Sequence, residues 1–197
     1  MMKKLIVITG ADGTGKSTLI KTVLSSGIKA KEASIWDAMD PAIFQSKKQI
    51  DDYLKSLLIN ARLLFLSHAI IQSYEKALKS DIEIVLFNAY YYKYFASELS
   101  FGANPILVQS LIDFFPKPDL VIELILDVEK CYERKKSVTN YECGFNEPNK
   151  DSFIRFQTSA RAQWNFFDTS FWKQFSTMES PGELSNKCIQ NIEELCR

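Results

Sequence analysis

Residues 10–18 read Gly10-Ala11-Asp12-Gly13-Thr14-Gly15-Lys16-Ser17-Thr18. The stretch fits the pattern G-x-x-x-x-G-K-[ST], with Gly10, Gly15, Lys16 and Ser17 at its fixed positions. Its surroundings fit as well. Leu5-Ile6-Val7-Ile8 before it is a short apolar, β-branched run, as a buried parallel strand should be. After it, Leu19, Ile20, Val23 and Leu24 recur at helical spacing. Strand, glycine loop and helix in that order leave few folds open to the chain.

The residue types at these positions serve phosphate chemistry. Gly10, Gly13 and Gly15 let the backbone take positive φ and approach a ligand closely. Successive N–H groups then point inward and form an anion nest. A helix starting near Lys16 adds its positive dipole end. Lys16 is expected to reach the β- and γ-phosphates of a bound triphosphate, and the Ser17 hydroxyl to ligate Mg²⁺. The whole stretch, including Ala11, Thr14 and Thr18, is therefore the expected phosphate-binding loop.

Composition agrees with an ordinary soluble globular protein. The 197 residues are 46% hydrophobic and 24% charged, enough for one domain with a real core. Lys plus Arg is 24 and Asp plus Glu is 24, so no broadly basic surface for nucleic acid is expected. No apolar run approaches the roughly 20 residues that cross a bilayer. The N-terminus shows no signal-peptide pattern. Cys131, Cys143, Cys188 and Cys196 lack CxxC spacing and read as reduced thiols of a cytoplasmic protein. His68, the single histidine, lies in an apolar helical stretch and reads as structural.

Strand-like and helix-like segments alternate along the chain, which predicts an α/β fold of three layers, αβα, around a five-stranded parallel sheet. Strands are expected near 3–9, 29–35, 82–87, 120–126 and 174–178. Helices are expected at 16–26, 51–79, 92–99, 106–115, 128–136, 153–171 and 181–195. Residues 137–151 hold Gly144, Pro148 and mixed charge, and read as a mobile loop.

Several segments together resemble the thymidylate kinases, within the P-loop nucleoside monophosphate kinases. Asp12-Gly13-Thr14-Gly15-Lys16-Ser17-Thr18 is similar to that family's DGxGKST. Leu63-Leu64-Phe65 is similar to its LLF segment. Phe114-Phe115-Pro116-Lys117-Pro118-Asp119-Leu120, followed by Leu126-Asp127-Val128, resembles its PKPDL…LDV segment, with Arg134 on the next helix. Tyr141-Glu142 resembles the Tyr-Glu of its lid. The resemblance implies transfer of the γ-phosphoryl group of ATP to dTMP with Mg²⁺, on a single domain whose lid is 137–151. It implies catalytic roles for Asp12, Lys16 and Arg134, and acceptor contacts from Phe65, Asn88, Tyr90 and Tyr141. Tyr91, Tyr92, Tyr94 and Phe95 extend the aromatic cluster beside Tyr90. Family members are commonly dimers, so the resemblance suggests a homodimer. The other reading of each is a tight-turn residue for Asp12, helix core for Phe65, and a solvated helix end for Arg134.

The acceptor side departs from the family pattern. Where the family carries Asp-Arg-Tyr after its third strand, this chain has Asn88-Ala89-Tyr90. Ala69 stands where an arginine follows the stacking phenylalanine. Trp36-Asp37-Ala38-Met39-Asp40-Pro41 replaces an Arg-Glu-Pro-like segment, and Asn140 precedes Tyr141 where arginine is frequent. A stabilising arginine in phosphoryl transfer is worth about 10³–10⁵ in rate. Three readings follow. Lys93, Lys135, Lys136, Lys150, Arg155 or Arg161 replaces the lost charge; or the acceptor is a nucleoside or other small molecule; or the chain binds nucleotide with weakened catalysis. A GTPase switch is disfavoured, because no Asn-Lys-x-Asp sequence occurs.

Overall fold

The runs 5–8, 84–87 and 120–124, apolar apart from Glu123, are buried from end to end, which requires cover on both faces of the sheet. A computed structural model describes residues 3–40, 42–178 and 180–196 and shows that cover. Strands β1 (Lys4–Thr9), β2 (Ala30–Ala33), β3 (Ile84–Asn88), β4 (Leu120–Ile125) and β5 (Lys173–Ser176) form one parallel sheet in the order β2-β3-β1-β4-β5. The expected three-layer αβα architecture is the observed one. Polar residues collect on the edge strands β2 and β5, where one side meets solvent.

Side chains alternate across the sheet with period two. Ile6, Ile8, Leu86 and Ile122 face helices α1 (Lys16–Ser25) and α8 (Pro181–Cys196). Leu5, Val7, Val85, Phe87 and Val121 face the opposite layer, built from α3 (Ile59–Leu78) and α4 (Tyr90–Ser100). Helix α5 (Pro105–Phe114) packs on α4. Helices α6 (Val128–Glu133) and α7 (Lys150–Ala162) close a smaller cluster around Ala11, Leu126, Cys131, Cys143 and Phe153. The register sets Ile8 beside Asn88 and Thr9 beside Glu123, so the glycine loop leaves β1 between the carboxyl ends of β3 and β4. Parallel sheets bind ligands at that end.

Several boundaries differ from the sequence expectation. The long helix expected over 51–79 is two helices, α2 (Lys47–Ser56) and α3, broken at Leu57 and Leu58, whose ψ angles are 140° and 153°. The apolar period runs through the break because both pieces face one core. Ser46 caps the start of α2 by accepting from the Gln49 N–H. At its other end, Arg62 Nη1 donates to the carbonyl of Leu57 and shares that of Leu54 with the Leu57 N–H, which closes the helix C-terminus. Helix α7 starts and stops earlier than 153–171: Asn149 caps it, and residues 163–166 form a 3₁₀ turn. The segment after β2 becomes a 3₁₀ turn, Ile35–Ala38, with Ser34 and Asp37 forming a capping box. Pro41 lies outside the described residues, as does the side chain of Cys196. Cys131, Cys143 and Cys188 are buried, and His68 is exposed on α3.

One buried ion pair ties these pieces together. Arg62 of α3 meets Glu98 of α4 at 2.8 Å, with side-chain exposures of 4% and 0%. The Tyr141 hydroxyl donates to the same Glu98 at 3.1 Å. The rings of Phe101 and Phe145 lie 4.5 and 4.8 Å from the guanidinium carbon. Burial pushes the Glu98 carboxyl up, while Arg62 and Tyr141 act against it. Removing one member leaves a buried charge without its counter-ion, at a cost of about 3–5 kcal/mol. Arg62→Ala is therefore expected to lose that amount in equilibrium urea unfolding, a larger loss than surface substitutions give.

Candidate active site

The glycine loop has the conformation its sequence predicts. Gly10, Gly13 and Gly15 all have positive φ, at 142°, 91° and 99°. At Gly13 a Cβ would stand 2.3 Å from the carbonyl oxygen of Cys131, so no other residue fits between the loop and α6. Gly15 is the N-cap of α1 and brings no side-chain cap, so the first-turn N–H groups of that helix open toward the cavity. Thr14 steadies the loop from within, its hydroxyl donating to the Ala11 carbonyl at 3.0 Å.

Lys16 is buried and folded over the loop. Its ammonium donates to the carbonyls of Gly10 and Ala11 at 2.9 and 2.7 Å. Burial dominates its proton affinity and lowers its pKa to about 8, against the opposing pull of Asp12. Asp12 lies alongside. Its Oδ1 is 2.6 Å from Lys93 Nζ, and Gln157 holds it twice, donating to Oδ2 at 3.4 Å and accepting from the Asp12 N–H at 3.2 Å. Burial alone would raise the Asp12 carboxyl, but Lys93, Lys16 and Lys135 outweigh it and bring the pKa to about 2. Asp12 is thus ionised at every working pH and a very weak base.

Ser17 opens α1 with its hydroxyl toward β3. Asn88 Nδ2 donates to Ser17 Oγ at 3.4 Å and to Glu32 Oε1 at 3.1 Å. A carboxylate therefore does stand near Ser17, although it comes from β2 rather than from position 88. Hard oxygen donors beside an open helix N-terminus suit Mg²⁺ with phosphate.

Asp12, Lys16, Ser17, Asn88 and Lys93 line one cavity of about 900 Å³. One end runs past Arg134 to Thr177, Pro181 and Leu184, between α6 and α8. The other runs past Asn88 and Lys93 to Trp36, Asp51, Leu66 and Tyr94. Arg134 belongs to the first end: its guanidinium donates to the hydroxyl and carbonyl of Thr177 at 3.0 and 2.8 Å. Tyr141 lines the second end.

Two acceptor-contact expectations need correction. Tyr90 is fully buried, packs against Phe87 and Phe115, and donates its hydroxyl to the Pro116 carbonyl, so it is core rather than cavity wall. Phe65 sits in an aromatic cluster with Phe44 and Tyr53, and its neighbour Leu66 faces the cavity instead. Of the aromatic run on α4, Tyr94 is the ring that lines the cavity. Ala69 is buried in the core, 1% exposed, and brings no polar group.

The segment 137–151 is fastened over the cavity rather than standing away from it. Asp51 on α2 accepts from the backbone N–H groups of Asn140 and Tyr141 at 3.2 and 3.0 Å. Lys135 pairs with Glu142 at 2.9 Å, and Gln157 donates to the Glu142 carbonyl at 3.0 Å. Sequence reasoning passed over Glu32, Asp51 and Gln157. Gln157 left a signal, as a polar residue on the α7 face that buries Phe153, Phe156 and Ala160.

Comparison with known proteins agrees with this geometry. The thymidylate kinase family model matches residues 8–180. A curated relative, probable thymidylate kinase 1 of Saccharolobus solfataricus, is 30% identical over 139 residues, covering 69% of this chain and 72% of that protein. The solved structure of a Candida albicans thymidylate kinase superposes with a TM-score of 0.72 at 20% identity, covering 98% of this chain and 92% of the other. The family match runs from the end of β1 to the residue before α8 and takes in both ends of the cavity, and so this chain belongs to the thymidylate kinase family of nucleotide kinases.

Proposed function

We propose that this chain transfers the γ-phosphoryl group of ATP to dTMP, giving ADP and dTDP. The observation that carries the reading is the single cavity that passes the glycine loop and opens on both sides of it. Its volume of about 900 Å³ lies near the top of the usual ligand-site range. One end suits a donor and the other an acceptor, with the loop between them.

Each residue has a role in that reaction. The loop N–H groups, the α1 N-terminus and Lys16 bind the donor phosphates, with Gly13 and Gly15 allowing the close approach. Lys16 exchanges its loop carbonyls for phosphate oxygens. The Ser17 hydroxyl would hold Mg²⁺, with Glu32 as the nearby carboxylate and the Asn88 amide linking the two. Bound there, the metal would supply positive charge to the phosphates. An oxygen of the acceptor phosphate attacks the γ-phosphorus and the bond to the β–γ bridging oxygen breaks. That nucleophile is already anionic, so no general base is needed, which suits Asp12 as a positioning carboxylate rather than a proton acceptor. Tyr94, Trp36 and Leu66 offer the apolar surface for the acceptor base. Arg134 flanks the donor nucleoside. The segment 137–151 acts as the lid that excludes water. The same reading makes the chain a single-domain cytoplasmic enzyme and, as is common in its family, a homodimer.

A coupled ADP-release assay with ATP, Mg²⁺ and a panel of nucleosides and nucleoside monophosphates tests this directly. Turnover is expected with dTMP, and its absence would sink the reading. Lys16→Ala is expected to lower that turnover by at least about 10²-fold while circular dichroism stays unchanged. The pH profile carries a further sign. Lys16 loses its proton near pH 8 in the free enzyme, so kcat/KM for ATP should fall as pH rises through about 8. Bound phosphates hold the proton on, so kcat should persist to higher pH than kcat/KM.

A further inference from the structure

Phosphoryl transfer between two anionic nucleotides needs a cation where acceptor and donor meet. Position 89 cannot supply it, because Ala89 carries neither charge nor donor. The other cations named from the sequence are placed elsewhere or already engaged. Lys135 pairs with Glu142, Arg161 pairs with Glu123 at 2.8 Å, and Lys150 stands 3.9 Å from Glu129 on the outer surface. Lys136 and Arg155 are exposed and do not line the cavity.

Lys93, like Lys135, lines the cavity and is paired with a carboxylate, but its partner is Asp12 of the glycine loop and not Glu142 of the segment over the cavity. It lies in the first turn of α4 and reaches the cavity wall between the loop and the acceptor end. Its side chain is 15% exposed, and its ammonium sits 2.6 Å from Asp12 Oδ1. Fold stability gives little reason for it. A cation in the first helical turn opposes the helix dipole, and a buried ammonium is costly to desolvate. The backbone before it is strained as well. Ala89 and Tyr90 are consecutive non-glycine residues with φ of 73° and 49°. Each such residue costs about 1–3 kcal/mol and persists only where its surroundings impose it. That turn points the start of α4 at the glycine loop and brings Lys93 onto Asp12.

We propose that Lys93 is the catalytic cation that grips the acceptor phosphate, a charge displaced by one helical turn from the position that Ala89 occupies. The proposal rests on dTMP being the acceptor. An ammonium has three N–H donors, so Lys93 can keep Asp12 and still bind a phosphate oxygen. Asp12 then acts through Lys93: held by Gln157, it fixes the direction of the ammonium. Its carboxylate also favours the charged form of Lys93 against burial, so the cation keeps its proton throughout. The attacking oxygen comes from the acceptor phosphate, the electron pair of the broken bond leaves with ADP, and no proton moves at Lys93.

The test compares wild type with Lys93→Gln, Lys93→Ala and Lys93→Arg. The glutamine variant can still hydrogen-bond Asp12, so it guards against misfolding, which thermal unfolding checks. Calorimetry measures dTMP binding, thymidine is scored as a competitor of dTMP, and ADP release gives kcat. Lys93→Gln and Lys93→Ala should weaken dTMP by about 10–100-fold, leave thymidine unchanged, and lower kcat by about 10²–10³-fold. Lys93→Arg should recover part of both losses. Equal weakening of dTMP and thymidine would assign Lys93 a structural role and overturn the proposal, as would unchanged dTMP binding. Wild type that turns over dTMP beside an unaffected Lys93→Gln variant overturns the lysine alone. Wild type inactive with dTMP overturns the acceptor assignment and the lysine with it.

Discussion

The acceptor half of this molecule depends on the buried pair between Arg62 and Glu98. Arg62 closes the end of α2 through two backbone carbonyls, Glu98 belongs to α4, and Tyr141 reaches in from the segment over the cavity. Four parts of the chain are thus referred to one pair of charges. Apolar packing could hold these parts together, but it is not directional. Arg62 Nε reaches both Glu98 oxygens while Nη1 holds the carbonyls at the end of α2, so the planar guanidinium fixes orientation as well as distance. The walls around Leu54, Leu66 and Tyr94 inherit their spacing from it.

Charge in the reaction centre has moved without vanishing. Asn88 lacks the carboxylate that its position carries in the family, yet its amide links Ser17 to Glu32 on the neighbouring strand. Ala89 lacks a cation, yet Lys93 follows within the next turn. A parallel sheet makes such exchanges cheap. The carboxyl ends of β2, β3 and β1 open side by side, so a group can be supplied from an adjacent strand or the helix after it.

How much of this the sequence disclosed depends on the range of the cause. The loop is local: glycine conformations, one lysine and one serine decide it within nine residues, and strand and helix flank it as expected. The buried runs 5–8, 84–87 and 120–124 were legible for the same reason, being apolar but for Glu123 in β4. The break at Leu57–Leu58 was not, because Arg62 must fold back from the next helix to close α2, and the apolar period continues across the gap. Tyr90 and Phe65 misled because a ring in an apolar context reads alike whether it walls a cavity or fills a core. Glu32 was hidden by its place on an edge strand, where a polar residue ordinarily means solvent. The pairing of Lys93 with Asp12 spans 81 positions, and no periodicity encodes it.

The latch between Asp51 and the segment over the cavity grips peptide N–H groups and ignores side chains. Every residue but proline offers that donor. The side chain at 140 can therefore change without undoing the latch, whereas the ring at 141 is fixed separately by its hydroxyl on Glu98. Because Asp51 rides on α2, which walls the acceptor end, the helix that shapes that end also carries the anchor of the segment above it, and a tilt of α2 would be passed on to the backbone at 140–141.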